Sequence, residues 1–285
     1  MIQYQENLKP TIQIDNNLSN IKDYSNYTCS ILIGRNYLSY ALSNKENSII
    51  YLLKHYYFED KVIGKNDFNE ILSDPVFKNV NNVKIAIDTL KSTLVPKILY
   101  AKEHIQDYYQ FVHELNDEES LFTQEISQDK ISIYSLKKST VGFLGSIYKN
   151  VTFYDASSCI LNNYPSLTAG DNSYTAFIII KDDCASLSFY LKKDLILHKI
   201  LADVSITDIT YHIANFIEVQ KISKDKMSIQ LFGESIRVPI VYNELIQYFP
   251  SVKYGNRIGN LQYPETLFDQ PTHYFFNLFS LVTCA

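Results

Sequence analysis

The feature that most limits the fold of this chain is an echo across about 145 residues. Tyr174 to Lys181 (YTAFIIIK), Cys184 to Leu191 (CASLSFYL) and Asp194 to Ala202 (DLILHKILA) are three short apolar or alternating runs, parted only by Asp182-Asp183 and Lys192-Lys193. Runs of that length with tight polar breaks read as a three-stranded antiparallel meander. Nearer the start, Cys29 to Gly34, Tyr37 to Leu42 and Ser48 to Phe58 repeat the plan, with breaks at Arg35-Asn36 and Ser43 to Asn47. A chain that begins the same unit twice is expected to fold as two halves of one design.

The order of elements after each meander supports that division. In the first half, a possible edge strand at Thr11 to Ile14 lies in a polar N-terminal arm. After the meander come a short helix at Asp67 to Leu72 and a buried strand at Val83 to Asp88. Val95-Pro96 is expected to open the longest helix, because a proline in the first turn loses no hydrogen bond. Ile105, Tyr108, Val112 and Leu115 would give that helix one apolar stripe out to about Leu115. Ile131 to Leu136 alternates as a strand, Thr140 to Lys149 reads as a helix, Val151 to Asp155 as a strand, and a short helix runs toward Asn163. Pro165 to Ser173 (PSLTAGDNS) concentrates the residues of a linker. The expected domains are therefore 1–168 and 169–285.

In the second half, Ser205 and Asp208 form an S-x-x-D cap, and Ile206, Ile209, Ile213 and Phe216 carry a helix to about Val219. Met227 to Phe232 is a strand ending at Gly233. A helix from Pro239 through Tyr248 is expected to turn Ile240, Leu245 and Ile246 inward, Val252 to Tyr254 is a last strand, and Gln270 to Val282 an aromatic-rich helix. Meanders followed by strands that alternate with helices imply mixed sheets with helices on their faces. The expected fold class is α/β, and two such halves resemble the duplicated ribonuclease-H-like architecture of the actin, sugar kinase and Hsp70 superfamily.

Two stretches carry a resemblance to known families. Ile229 to Pro239 (IQLFGESIRVP) resembles the adenosine motif of Hsp70-type proteins at Gly233, Ser235, Arg237 and Pro239, with Glu234 where the motif has a second glycine. The run from Leu195 through Gly233 resembles an uncharacterised bacterial domain-of-unknown-function family, described as an actin-like ATPase fold without an assigned reaction. The resemblance implies that each meander's first hairpin descends from a phosphate loop, where an aspartate holds the water shell of Mg²⁺ and glycines let backbone amides approach phosphate. The first hairpin keeps Gly34, Arg35 and Asn36, but Leu32 stands where the aspartate belongs. The second offers Asp182 and Asp183 in a turn without any glycine. Together with Gly233, Glu234 and Ser235 these residues make up an expected vestigial nucleotide cleft, with no catalytic residue and no metal ligand among them. No bound cofactor is expected; the alternative is ATP with Mg.

Other chemistry is poorly supported. The sequence has no GxxxxGK[ST], GxSxG, HExxH or GxGxxG run, and its six histidines show no ligand spacing. Gly255 and Gly259 read as a surface turn. The net charge of −5, with acids and lysines mixed, leaves no basic stripe for nucleic acid. No run approaches the length that spans a bilayer, the start lacks a secretory pattern, and the four scattered cysteines suit small buried hydrophobes in a reducing cytoplasm. There are 23 Tyr and 16 Phe. The clusters Tyr56-Tyr57-Phe58 and Tyr274-Phe275-Phe276 with Phe279 exceed what one buried face takes, which points to an interface. The expected function is a non-catalytic binding or scaffold module with a protein partner and possible homodimerisation. The rivals are an ATP-binding enzyme or switch, and a partner platform like the actin-like assembly proteins of bacterial secretion and pilus systems.

Overall fold

A computed structural model describes residues 8–16, 21, 23–24, 26–44, 48–58, 63–126, 129–148, 150–167 and 174–284. The chain forms two compact units. The first comprises residues 1–159, 259–269 and 281–285, the second residues 160–258 and 270–280.

In the first unit, β1 (Ile12–Asp15), β2 (Tyr27–Ile33), β3 (Tyr37–Asn44) and β4 (Ile50–Tyr57) precede the helices α1 (Lys65–Ile71) and α2 (Pro75–Asn79) and the strand β5 (Asn82–Ile87). With β9 (Val151–Asp155) these strands build a six-stranded sheet in the order β1-β4-β3-β2-β5-β9. The meander pairs antiparallel, whereas β5 lies parallel to both β2 and β9. Central strands covered on both faces must be apolar along their length, and from Thr28 to Ile33 β2 is buried at every position. Gln262 follows the sheet edge, its carbonyl accepting from the Ile50 amide at 3.0 Å. Lys84 Nζ donates to the carbonyls of Val282 and Cys284. These bonds explain why two late segments belong to this unit.

The second unit contains β10 (Tyr174–Ile180), β11 (Cys184–Leu191), β12 (Asp194–Ala202), α6 (Ile206–Val219), β13 (Met227–Phe232), α7 (Arg237–Leu245) and β14 (Val252–Tyr254). Its sheet runs β12-β11-β10-β13-β14, with β13 parallel to β10 and to β14. This is the order β4-β3-β2-β5-β9 of the first unit over again, meander first and parallel strands after. Helix α6 starts where the sequence places it: Ser205 Oγ accepts from the Asp208 amide at 3.1 Å while Asp208 Oδ2 accepts from the Ser205 amide at 3.0 Å. Its buried residues Ile209, Ile213 and Phe216 pack on the sheet, Phe216 stacked on Phe189 with ring centroids 4.1 Å apart.

Several expectations fail here. The long helix from Val95 to Leu115 does not exist. Residues Ser92–Pro96 are a strand, β6, whose Val95 opposes Ile131, and only Ile105–Gln110, α3, is α-helical in that stretch. Pro96 suits the end of an edge strand as well as a helix start, and Tyr109 rather than Val112 is the buried residue. A strand the sequence reading lacked, β7 (Glu119–Ile126), pairs with β8 (Lys130–Lys137), so the order β6-β8-β7 makes a small sheet with its own core of Val95, Tyr109, Ile131 and Ile133.

Helix α7 begins at Arg237, two residues before Pro239; Leu245 turns inward as expected, but its partners in the core are Val238 and Val241 at steps of 3 and 4, and Ile240 and Ile246 face solvent. The last helix, α8, is confined to Phe276–Thr283. The aromatic clusters are mostly interior: Phe58 and Tyr56 are buried and only Tyr57 faces out, while Phe276 lies parallel to Tyr164, 5.4 Å between centroids, and Phe275 and Phe279 are also buried. The expected linker lies partly at 168–173, outside the described residues; α5 (Ala156–Asn163) precedes it. No helix among the described residues is long and apolar enough to cross a membrane.

Helix α4 (Lys138–Ile147) carries Gly142 and Gly145, and a Cβ on either would meet nothing within 4 Å. Each Gly→Ala replacement there is expected to raise stability by about 0.5–1 kcal/mol, since alanine orders at lower entropic cost in a helix. Urea midpoints of the two variants check this; a drop in either midpoint contradicts it.

Candidate functional site

The residues singled out in the sequence fall into two groups, one in each unit. In the first, Gly34, Arg35 and Asn36 form the β2–β3 turn. The Gly34 amide donates to the Tyr37 carbonyl at 2.9 Å. The Phe58 amide donates to the Asn36 carbonyl at 2.8 Å and the Ile63 amide to the Arg35 carbonyl at 3.2 Å. The turn is therefore tied down along its backbone. Above Gly34 lies the Tyr37 ring, 2.1 Å from where a glycine-to-alanine Cβ would sit. Tyr37 is anchored in turn, its hydroxyl donating to Asp88 Oδ2 at 2.9 Å, and the Asp88 amide donates to the Ile33 carbonyl.

In the second unit, Asp182, Asp183, Gly233, Glu234 and Ser235 do come together. The β10–β11 hairpin carries the two aspartates, and the strand end of β13 delivers the other three beside it. Ser235 Oγ donates to Asp182 Oδ1 at 2.6 Å. The Arg237 guanidinium reaches back across the hairpin, Nη1 donating to the carbonyls of Lys181 at 3.1 Å and Asp182 at 2.8 Å, and Nη2 to that of Val204 at 2.6 Å. Its planar fork can reach several carbonyls that a point-charge ammonium could not. The Asp183 carbonyl accepts from the Asp203 amide at 2.7 Å.

Gly233 has φ +121°, a backbone state few side chains adopt. A Cβ there would lie 2.2 Å from the Ile180 carbonyl oxygen. Its amide donates to the His273 carbonyl, and Glu234 Oε1 accepts from the Phe275 amide at 2.5 Å. Gly255, expected in a surface turn with Gly259, is instead buried, and the Phe232 ring fills the place of its absent Cβ at 2.0 Å. Only Gly259 is exposed. So Tyr37, Phe232 and the Ile180 carbonyl occupy the space that Gly34, Gly255 and Gly233 leave.

The sequence reading picked the hairpins and the Gly233 region but missed Tyr37, Asp88, His273 and the Phe275 amide, the groups that engage them. An acid closing β5, with a tyrosine opening β3, was the one available signal. The remainder depends on chain segments some 40 residues apart, as between Glu234 and Phe275 (|i−j| = 41). Among the described residues no cluster of three or more His, Cys, Asp or Glu could hold a metal ion.

Replacing Arg237 by Ala removes donors from three backbone carbonyls, and the expected loss is about 2–3 kcal/mol at roughly 1 kcal/mol per bond. Arg237→Lys should recover less than half of it. A urea midpoint for Arg237→Ala within about 0.5 kcal/mol of the parent would mean the clamp does not hold the hairpin.

Comparison with known proteins agrees with this fold. No curated protein matches the sequence. Among solved structures, a protein with actin-like ATPase fold and unknown function from Bacteroides thetaiotaomicron VPI-5482 superposes with a TM-score of 0.72 at 17% identity, over 92% of this chain and 97% of that one. A chain of the PilM-PilN type IV pilus biogenesis complex gives a TM-score of 0.67 at 11% identity, over 90% of this chain and 97% of that one. At those identities the likeness is one of fold. The DUF3822 family, described as a protein of unknown function, matches residues 15–252. With that match covering most of its length and the two sheets sharing one strand order, this chain is a member of the DUF3822 family built on the actin-like ATPase fold.

Proposed function

We propose that this protein is a non-catalytic binding or scaffold module, in which the surfaces that serve nucleotide elsewhere in the fold serve the protein's own backbone. The carrying observation is the Arg237 fork on the carbonyls of Lys181, Asp182 and Val204, with Ser235 on Asp182. A phosphate loop presents amides and small residues to its ligand. This hairpin presents two aspartates, and the glycines nearest to it are covered by protein atoms. ATP with Mg does not fit these residues, and no catalytic step is assigned to them. That the same fold occurs in a two-protein pilus biogenesis complex supports a partner-binding reading.

The test is a thermal melt with and without millimolar Mg-ATP. The expected shift is below about 1 °C. Nucleotide at about 100 times its dissociation constant adds roughly 2.7 kcal/mol, on the order of 5–10 °C for a chain of this size. A shift of that order would instead support the ATP-binding switch.

A further inference from the structure

Strand β12 is an edge: among the described residues it pairs with β11 and with no other strand. It is nine residues long, the longest strand of its sheet. An edge strand presents alternate amides and carbonyls outward, and long exposed edges are where another chain can add a strand. Two devices set the side chains beside this edge. A bulge pairs Phe189 with Leu197 and Tyr190 with Leu195, which leaves Ile196 as the extra residue. As a result Ile196 and Leu197, consecutive residues, both line the groove of about 330 Å³ between β12 and α6, and they are 44% and 43% exposed. Phe189 and Phe216 form its floor.

The charge of this groove runs against that of the chain. The protein carries a net −5, yet the groove lining includes Lys199 and His212 and no carboxylate. Lys199 Nζ lies 3.4 Å from His212 Nε2. Burial and the Lys199 charge push the pKa of this imidazole down, with Asp208 opposing them. The acid one turn before it, Asp208, is bonded into the Ser205 cap. A cation in the groove beside an edge strand is one of the devices that discourage pairing with a second copy. It suits a strand that brings carboxylates.

We infer that the β12 edge and its groove are a docking site for an extended segment of a partner protein that carries both apolar and acidic residues on one strand face, at positions two apart, added as a sixth strand beside β12. The main-chain ladder supplies affinity, the apolar side chains seat over Phe189 and Phe216, and the acids select through Lys199. This inference rests on the binding-module reading and names its site.

The probe is a fluorescein-labelled synthetic nonapeptide whose odd positions take valine and glutamate in turn and whose even positions are threonine, so that valine and glutamate share one strand face, titrated by anisotropy into the full chain, against the same peptide with lysine for glutamate. The glutamate peptide should bind at least about tenfold tighter, and Lys199→Glu should reverse the order. Ile196→Glu should weaken the glutamate peptide about tenfold or more. Hydrogen exchange at 194–202 should slow on binding and nowhere else comparably. Equal affinity for the two peptides, no saturation of the glutamate peptide by about 1 mM, or protection away from β12 would overturn the site. So would a dilution-sensitive dimer that protects β12 without peptide, which would assign the edge to a second copy. Either result leaves the Mg-ATP melt untouched, and a nucleotide shift leaves the peptide titration untouched.

Discussion

Gly233→Ala should cost about 3 kcal/mol or more and leave a protein with markedly reduced soluble yield, the largest single-residue effect expected in this chain. Two terms add. At φ +121° an alanine is strained whatever space surrounds it. Space is also lacking, because the new Cβ would fall 2.2 Å from the Ile180 carbonyl oxygen on the neighbouring parallel strand. Relief by backbone movement would break the bond from the Gly233 amide to the His273 carbonyl and drag Glu234 from the Phe275 amide. The control is Gly259→Ala, where nothing lies within 4 Å and the change should stay within about 0.5 kcal/mol. Urea midpoints of both variants decide it: a Gly233→Ala midpoint equal to the parent's would show that the β13 end is not a fixed point of the fold. The same glycine that invites comparison with a nucleotide motif thus has a role in the fold itself.

How far the sequence spoke depended on how local the determinant was. The second meander was legible to within a residue or two at every strand end, because its breaks are charged pairs and its strands alternate or are apolar throughout. Helix α6 was legible because its cap is written in two residues. The β6-β8-β7 sheet was not. Pro96 satisfies an edge strand and a helix start alike, and the 3-and-4 spacing of Ile105, Tyr108, Val112 and Leu115 matched a helix that breaks after Gln110. In α7 Leu245 was placed inward correctly but Ile240 and Ile246 were not, because the 3-and-4-spaced stripe that packs into the core is Val238, Val241 and Leu245, which begins before the proline. At the candidate site, the turn residues themselves stood out, as glycines and paired acids do. What covers them did not, since the Tyr37 ring over Gly34 and the Arg237 fork over Lys181 and Asp182 are facts of side-chain placement.

Acid should destabilise the protein steeply between pH 6.5 and 4. Burial holds three imidazoles, His55 in the first unit and His198 and His273 in the second, at about 4 against an ordinary 6.5. For His198 the positive Lys181 adds to burial. Each is neutral in the folded chain and protonates in the unfolded one throughout that window. The unfolded state therefore binds more protons, and stability present above pH 6.5 is lost as pH falls toward 4. A shift of this size corresponds to roughly 3 kcal/mol per histidine once pH reaches the folded value. Geometry supports the direction: His55 Nδ1 lies 2.7 Å from Ser39 Oγ inside the sheet, His198 Nε2 is buried without a hydrogen-bond partner among the described residues, and His273 stacks flat on Tyr254 at 4.6 Å. Carboxylates held low, such as Asp74, act only below their ordinary 3.8 and so outside this window. The second unit holds two of the three, so its loss should be steeper, and it should begin where His273 carries the Gly233 amide. Urea midpoints followed by hydrogen exchange from pH 7.5 to 4.5 test this. His198→Gln and His273→Gln should each flatten the profile of the second unit, and a parent profile level from 6.5 to 4.5 would show that these rings accept a proton in place.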